Sequence, residues 1–258
     1  DGRIFFTTES RLIGSGEIAG SRRSRKAGRE ESLSVDIQEE IAYLRQRLSV
    51  AGDMLAEELA DFPEARMDFC QDEPVWARWS AEVQLRHIAC VPCRWLLGIF
   101  RKSLLAQGYQ LPDVDMKTIA DRGGRHVPPE ICPDRASLIA HSREMYDFCI
   151  EILGRETPES LRTLQCIRLV DTEVWREDSP ERPIDLWRML AELHPYGVHE
   201  DPDKPGHFPM ELIAVIRQIY WEFLAHLRSI QRLKGLLRLS ASVALPKEGY
   251  LIISKFHD

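Results

Sequence analysis

Apolar residues recur at spacings of three and four along four long stretches of this chain, a period that dictates helices whose apolar stripes must cover one another. The strongest stretch runs from Met210 to Leu237, with Leu212, Ile216, Ile219, Phe223, Leu227, Ile230 and Leu237 on one face. The first begins at Val35, carries Ile37, Ile41, Leu44, Leu48, Leu55 and Leu59, and is broken by Pro63. The second opens at Trp79-Ser80 and extends to about Gly108 through Val83, Ile88, Val91, Trp95, Ile99 and Leu104. The Ser80 hydroxyl is suited to accept the first unpaired backbone N–H groups, and Pro92, which removes one donor, predicts a kink. The third starts near Asp134, carries Leu138, Met145, Phe148 and Ile152, and ends at Gly154. Shorter helices are expected at 158–172 and 184–194, ahead of a segment rich in His, Pro and Asp.

Four long helices with ragged connections predict an all-α chain, a four-helix bundle with an insertion between the third and fourth long helices. Strand-prone runs are confined to the ends, Arg3 to Thr8 and Tyr250 to Ile253, and a short terminal β pairing between them is the only sheet expected. Residues 1–34, punctuated by glycine and carrying the basic run Arg22, Arg23, Arg25 and Lys26, read as a mobile arm. Residues 35–237 then form the helical domain, and 238–258 a C-terminal extension.

Charge narrows the partners. With 34 basic and 41 acidic residues the 258-residue chain carries a net charge of -7, which argues against nucleic acid and anionic lipid as partners and favours a small-molecule substrate. Apolar runs stop far short of the ~20 residues a spanning helix needs. The six cysteines, Cys70, Cys90, Cys93, Cys132, Cys149 and Cys166, follow no regular framework, so free thiols and a cytoplasmic address are expected. There is no P-loop, no Gly-x-Ser-x-Gly elbow and no zinc-finger spacing, which removes the kinase, α/β-hydrolase and DNA-reader classes. Neither Glu-x-x-His nor His-Glu-x-x-His occurs, which counts against di-iron bundles and zincin proteases.

Of the eight histidines, His87 and His226 lie where long-helix stripes face the interior. Glu222 precedes His226 by one turn, so the two share a face within ~6 Å. If His87 faces them, two imidazoles and one carboxylate can grip a divalent ion and leave coordination positions open, a set that suits Zn, Ni or Fe(II). The plainer alternative is a pair of packing imidazoles and a solvated carboxylate. His199 and Tyr196, in the segment His194 to Asp201, are candidate catalytic groups lining a cleft, with ordinary surface polarity as the alternative. Cys90-Val91-Pro92-Cys93 is spelled like a redox motif but lies inside a helical pattern, where packing thiols, a strained disulfide or extra ligation beside His87 are the options.

The run Trp79-Ser80-Ala81-Glu82-Val83-Gln84-Leu85-Arg86-His87, followed by Arg94-Trp95-Leu96, resembles the second-helix signature of the DinB-like (YfiT-like) metalloenzyme superfamily. Glu222-Phe223-Leu224-Ala225-His226-Leu227, with Ile230-Gln231-Arg232-Leu233, is similar to the last helix of that family. The resemblance spans roughly residues 36–237. It implies a four-helix bundle with one divalent metal ion at one end, held here by His87, Glu222 and His226, often in a homodimer, and hydrolysis or thiol transfer on a small molecule, a thiol among the candidates. Glu222 stands where the family places a histidine, and a carboxylate there shifts preference toward harder ions such as Fe(II) or Mn(II). The competing expectation is a non-catalytic helical interaction protein with a degenerate metal site.

Overall fold

The computed structural model describes residues 36–173 and 182–253. They are mostly helical. Helix α1 is Ile37–Leu59, its first turn capped by the Asp36 carboxylate, which accepts from Gln38 N at 2.8 Å. Helix α2 is Ala81–Pro92, with Ser80 Oγ accepting from Val83 N at 3.3 Å as the sequence leads one to expect. At Pro92 the path widens into a π turn over Cys93–Ile99 before α3, Arg101–Ala106, resumes the α period. The missing Pro92 N–H removes one rung of the α ladder, and the expected single helix is three segments instead. Helix α4, Met116–Asp121, was not foreseen; Asp115 caps it through Thr118 N at 3.0 Å.

Helix α5 is Arg135–Arg155 and opens with a reciprocal cap, Ser137 N donating to Asp134 at 2.7 Å and Asp134 N donating to Ser137 Oγ at 3.1 Å. Between α5 and the last long helix lie α6 (Pro158–Thr163), strand β1 (Gln165–Leu169), α7 (Pro183–Leu193) and strand β2 (His207–Glu211). Helix α8, Leu212–Leu236, is buried without interruption from Leu212 to Trp221 and forms the axis of the core. Each of the four long helices packs on two others, α1 on α5 and α8, α2 on α5 and α8. No helix among the described residues is long and apolar enough to cross a membrane.

Two expectations are corrected. The helix expected over 158–172 stops at Thr163, and its second half is β1, antiparallel to β2 in the register Cys166 with Met210 and Arg168 with Phe208. Sheet pairing with a segment about forty residues away in sequence overrides a weak helical period, because it seats Phe208 and Met210, both fully buried, in the core. The strand-prone Tyr250 to Ile253 run is likewise a 3-10 turn, Gly249–Ile252, rather than a strand. Gly249 adopts φ 53° and presses on the Trp221 indole, where an added Cβ would sit 2.4 Å from Cγ. The proposed partner strand and the arm of residues 1–34 lie outside the described residues.

Candidate metal centre

His87 sits midway along α2, Glu222 and His226 along α8, and the two helices pack face to face. Their donor atoms all lie within 4.8 Å of one another. The imidazole rings of His87 and His226 are 4.5 Å apart between centroids, and His87 Nε2 lies 3.4 Å from Glu222 Oε2. The three side chains singled out from spacing therefore converge.

Each is held from behind. His87 Nδ1 donates to the Arg125 carbonyl at 2.7 Å, which fixes the tautomer and turns Nε2 toward Glu222. His226 Nδ1 meets Gln84 Oε1 at 2.5 Å, again leaving Nε2 for the centre. Glu222 Oε1 accepts from Gln218 Nε2 at 2.8 Å. Such contacts to the far nitrogen and far oxygen are how ligands are oriented in metal proteins. The contact of His87 Nε2 with Glu222 Oε2 is met either by a proton on that nitrogen or by a cation between the two groups. A proton on His87 would satisfy that one contact, whereas a divalent ion would satisfy all three donors.

Two of the three groups, Glu222 and His226, have resolved shifts, and in both the charge of His87 is among the causes. Burial opposes ionisation of Glu222, yet the hydrogen bond and charge of His87, the charge of His226 and the Gln218 amide outweigh it and hold the carboxyl down to about 2. Burial, then the charges of His87, Arg125 and His126, hold His226 down to about 3 despite Glu222. An ionised carboxylate beside a neutral imidazole is what metal binding requires at pH 7.

Behind Glu222 runs a buried chain of hydrogen bonds. Gln218 Oε1 accepts from His194 Nε2 at 3.1 Å and from the Tyr250 hydroxyl; His194 Nδ1 accepts from Arg217 Nη1 at 2.8 Å, and Arg217 Nε is bound to Glu40. Tyr196 joins this chain rather than the metal group: its carbonyl accepts from Arg217 Nη1 at 3.1 Å and its ring lies 4.6 Å beneath the guanidinium. His199 is exposed on the same loop, with Glu211 its charged neighbour. Of the segment His194 to Asp201, it is His194 that reaches toward the centre.

Trp79 forms one wall. Its ring is 5.1 Å from His87, 5.0 Å from His126 and stacked at 5.8 Å on His226, while Arg125 lies 4.8 Å over it. Sequence reasoning missed Gln84, Gln218 and His126. Gln84 precedes His87 by three residues and Gln218 precedes Glu222 by four, so helical spacing was the signal available for both. His126 lies in a loop and carried no such signal.

The thiol readings resolve toward packing. All six cysteines are free; Cys90 Sγ faces the Gly124 carbonyl at 3.8 Å, and Cys93 Sγ lies 3.1 Å from His141 Nε2. Burial pushes the Cys90 thiol up to about 12 and Cys93 well above its ordinary value, the reverse of a reactive redox pair. Compared with protein-family models, curated proteins and solved structures, the chain matches none.

Proposed function

We propose that the chain is a DinB-like four-helix bundle protein that binds one divalent metal ion through His87, Glu222 and His226 and acts on a small molecule by hydrolysis or thiol transfer. The observation that carries this reading is the pairing of convergence with orientation: donor atoms from two helices lie within 4.8 Å, and His87 Nδ1, His226 Nδ1 and Glu222 Oε1 are each tied to a separate partner. The far nitrogen of each ring is taken by a partner outside the group, Arg125 for His87 and Gln84 for His226, while His87 Nε2 is turned to Glu222 within it. An interaction module with a degenerate site calls for Glu222 turned to solvent; its hydrogen bond to Gln218 and its approach to His87 favour the metal reading instead.

A Zn, Ni, Fe or Mn ion bound there would supply a lowered pKa for a water or thiol at its open position. The chain's own part is to hold the ligands in orientation and to wall the centre with Trp79. Beside the centre lies a cavity of about 300 Å³ lined by Val83, Arg86, Val127 and His126, the last of which touches the His87 ring edge-on at 5.6 Å. The deciding experiment is elemental analysis of protein purified without an affinity tag. About one ion per chain, lost in His87→Ala and in His226→Ala, is expected; sub-stoichiometric metal under every loading condition would overturn the proposal.

A further inference from the structure

Next to the three donors stands an imidazole with one ring nitrogen unmatched. His126 Nε2 is buried and has no hydrogen-bond partner, although a buried ring nitrogen left unmatched is costly. Its ring is 5.6 Å from His87 and 5.0 Å from Trp79, so three imidazoles gather about one indole. The backbone that carries it is the one that orients the site: the Arg125 carbonyl holds His87, and Val127 N donates to the Arg86 carbonyl at 3.1 Å while Arg86 Nη1 donates to the Val127 carbonyl at 3.0 Å.

We infer that His126 is a fourth, displaceable donor of this site, which closes the coordination shell at rest and yields to a molecule arriving through the cavity that it also lines. The inference rests on the metal reading above. His126 is outside the group whose donors lie within 4.8 Å, so a rotation of its side chain would be needed to bring it to the ion, and the same rotation would release it. Gly123 and Gly124, at φ 90° and 67°, lie just ahead of it and give the segment backbone freedom that other residues lack. His126 also lines the cavity of about 300 Å³ together with Val83, Arg122, Val127 and Glu130, and a ligand held there would lie against it. Three nitrogens and one carboxylate make a closed set for a borderline ion, and release of one nitrogen reopens it.

Titration of the full chain with Co(II), followed by visible absorption and by competition with Zn(II), tests this. Wild type, His126→Ala, His126→Gln and His87→Ala are compared, and unfolding of each metal-free protein is measured to show that it is folded. In His126→Ala and His126→Gln the Co(II) spectrum is expected to change and affinity to fall at least about tenfold, as even an outer contact produces. Added imidazole is expected to restore the wild-type spectrum in His126→Ala. Unchanged spectra overturn the proposal whether or not affinity falls, since a weaker site of identical spectrum marks an indirect contact. If wild type binds no ion, or His87→Ala binds as well as wild type, the metal reading itself fails and this inference falls with it.

Discussion

In the proposed metal site Gln84 and Gln218 would hold the ligands rather than the ion, so their loss isolates orientation from ligation. In Gln84→Leu the His226 ring loses its only fixed tautomer, and metal affinity is expected to fall about 10–100-fold with the three donors intact. Calorimetric titration checks it, and an affinity within twofold of wild type would show that Gln84 plays no such part. Glu222→Gln keeps the side-chain shape but removes the one negative charge among the donors, so its loss should exceed that of Gln84→Leu in the same titration. His194 supplies a pH test. Burial, then the Arg217 charge, hold it down to about 3 against an ordinary 6.5, with the Gln218 hydrogen bond opposing them. The unfolded chain therefore takes up a proton that the folded one refuses. The stability this histidine contributes is full above pH 6.5 and is lost as pH falls from there toward about 3. The slope is at most about 1.4 kcal/mol per pH unit. His126 and His141 are lowered in the same direction by burial first, so the metal-free protein should lose urea resistance between about pH 7.5 and about pH 5, and less steeply in His194→Gln. Equal slopes in the two proteins would remove His194 from the account.

At the scale of elements, α8 does two jobs on different faces. One half carries Gln218, Glu222 and His226; near its end Lys234, wholly buried, is bound to Glu58 Oε1 at 2.9 Å, Asp61 at 2.6 Å and Ser242 Oγ at 2.8 Å. Glu58 in turn accepts from Gln231 and from the backbone N–H groups of Ser242 and Val243. This cluster pins the segment after α8 to α1, and Glu248, accepting from Tyr43 at 2.5 Å and Tyr220 at 3.0 Å, continues the seam to Tyr250. Lys234→Met leaves the Glu58 charge buried without its counter-ion and should cost about 3–5 kcal/mol in chemical denaturation. Ser80→Ala, which removes only the α2 cap, should cost about 1 kcal/mol. If Lys234→Met proved as mild as Ser80→Ala, the cluster would not be what secures the C-terminal segment.

At the scale of the whole molecule, the centre bridges α2 and α8, so an ion there ties together elements more than a hundred residues apart in sequence. Binding to the folded state alone adds about 2.7 kcal/mol at a hundred times the dissociation constant. Thermal unfolding should rise on addition of Zn(II) or Mn(II), fall back with a chelator, and stay flat in His226→Ala. A shift of equal size in that variant would place the ion elsewhere.

The sequence by itself determined the helices that packing could not overrule: α1, α5 and α8, whose long apolar stripes and capping residues Asp36 and Asp134 agree with one another. It also determined that Glu222 and His226 share a face, because i, i+4 spacing on a helix places them so whatever lies opposite. Only the tertiary structure decided what faces that pair, that Gln84 and Arg125 aim the rings, that a loop histidine stands alongside, and that Gln165 to Leu169 is a strand. Those outcomes depend on contacts between segments distant in the chain, and local period carries no information about them until burial selects a partner.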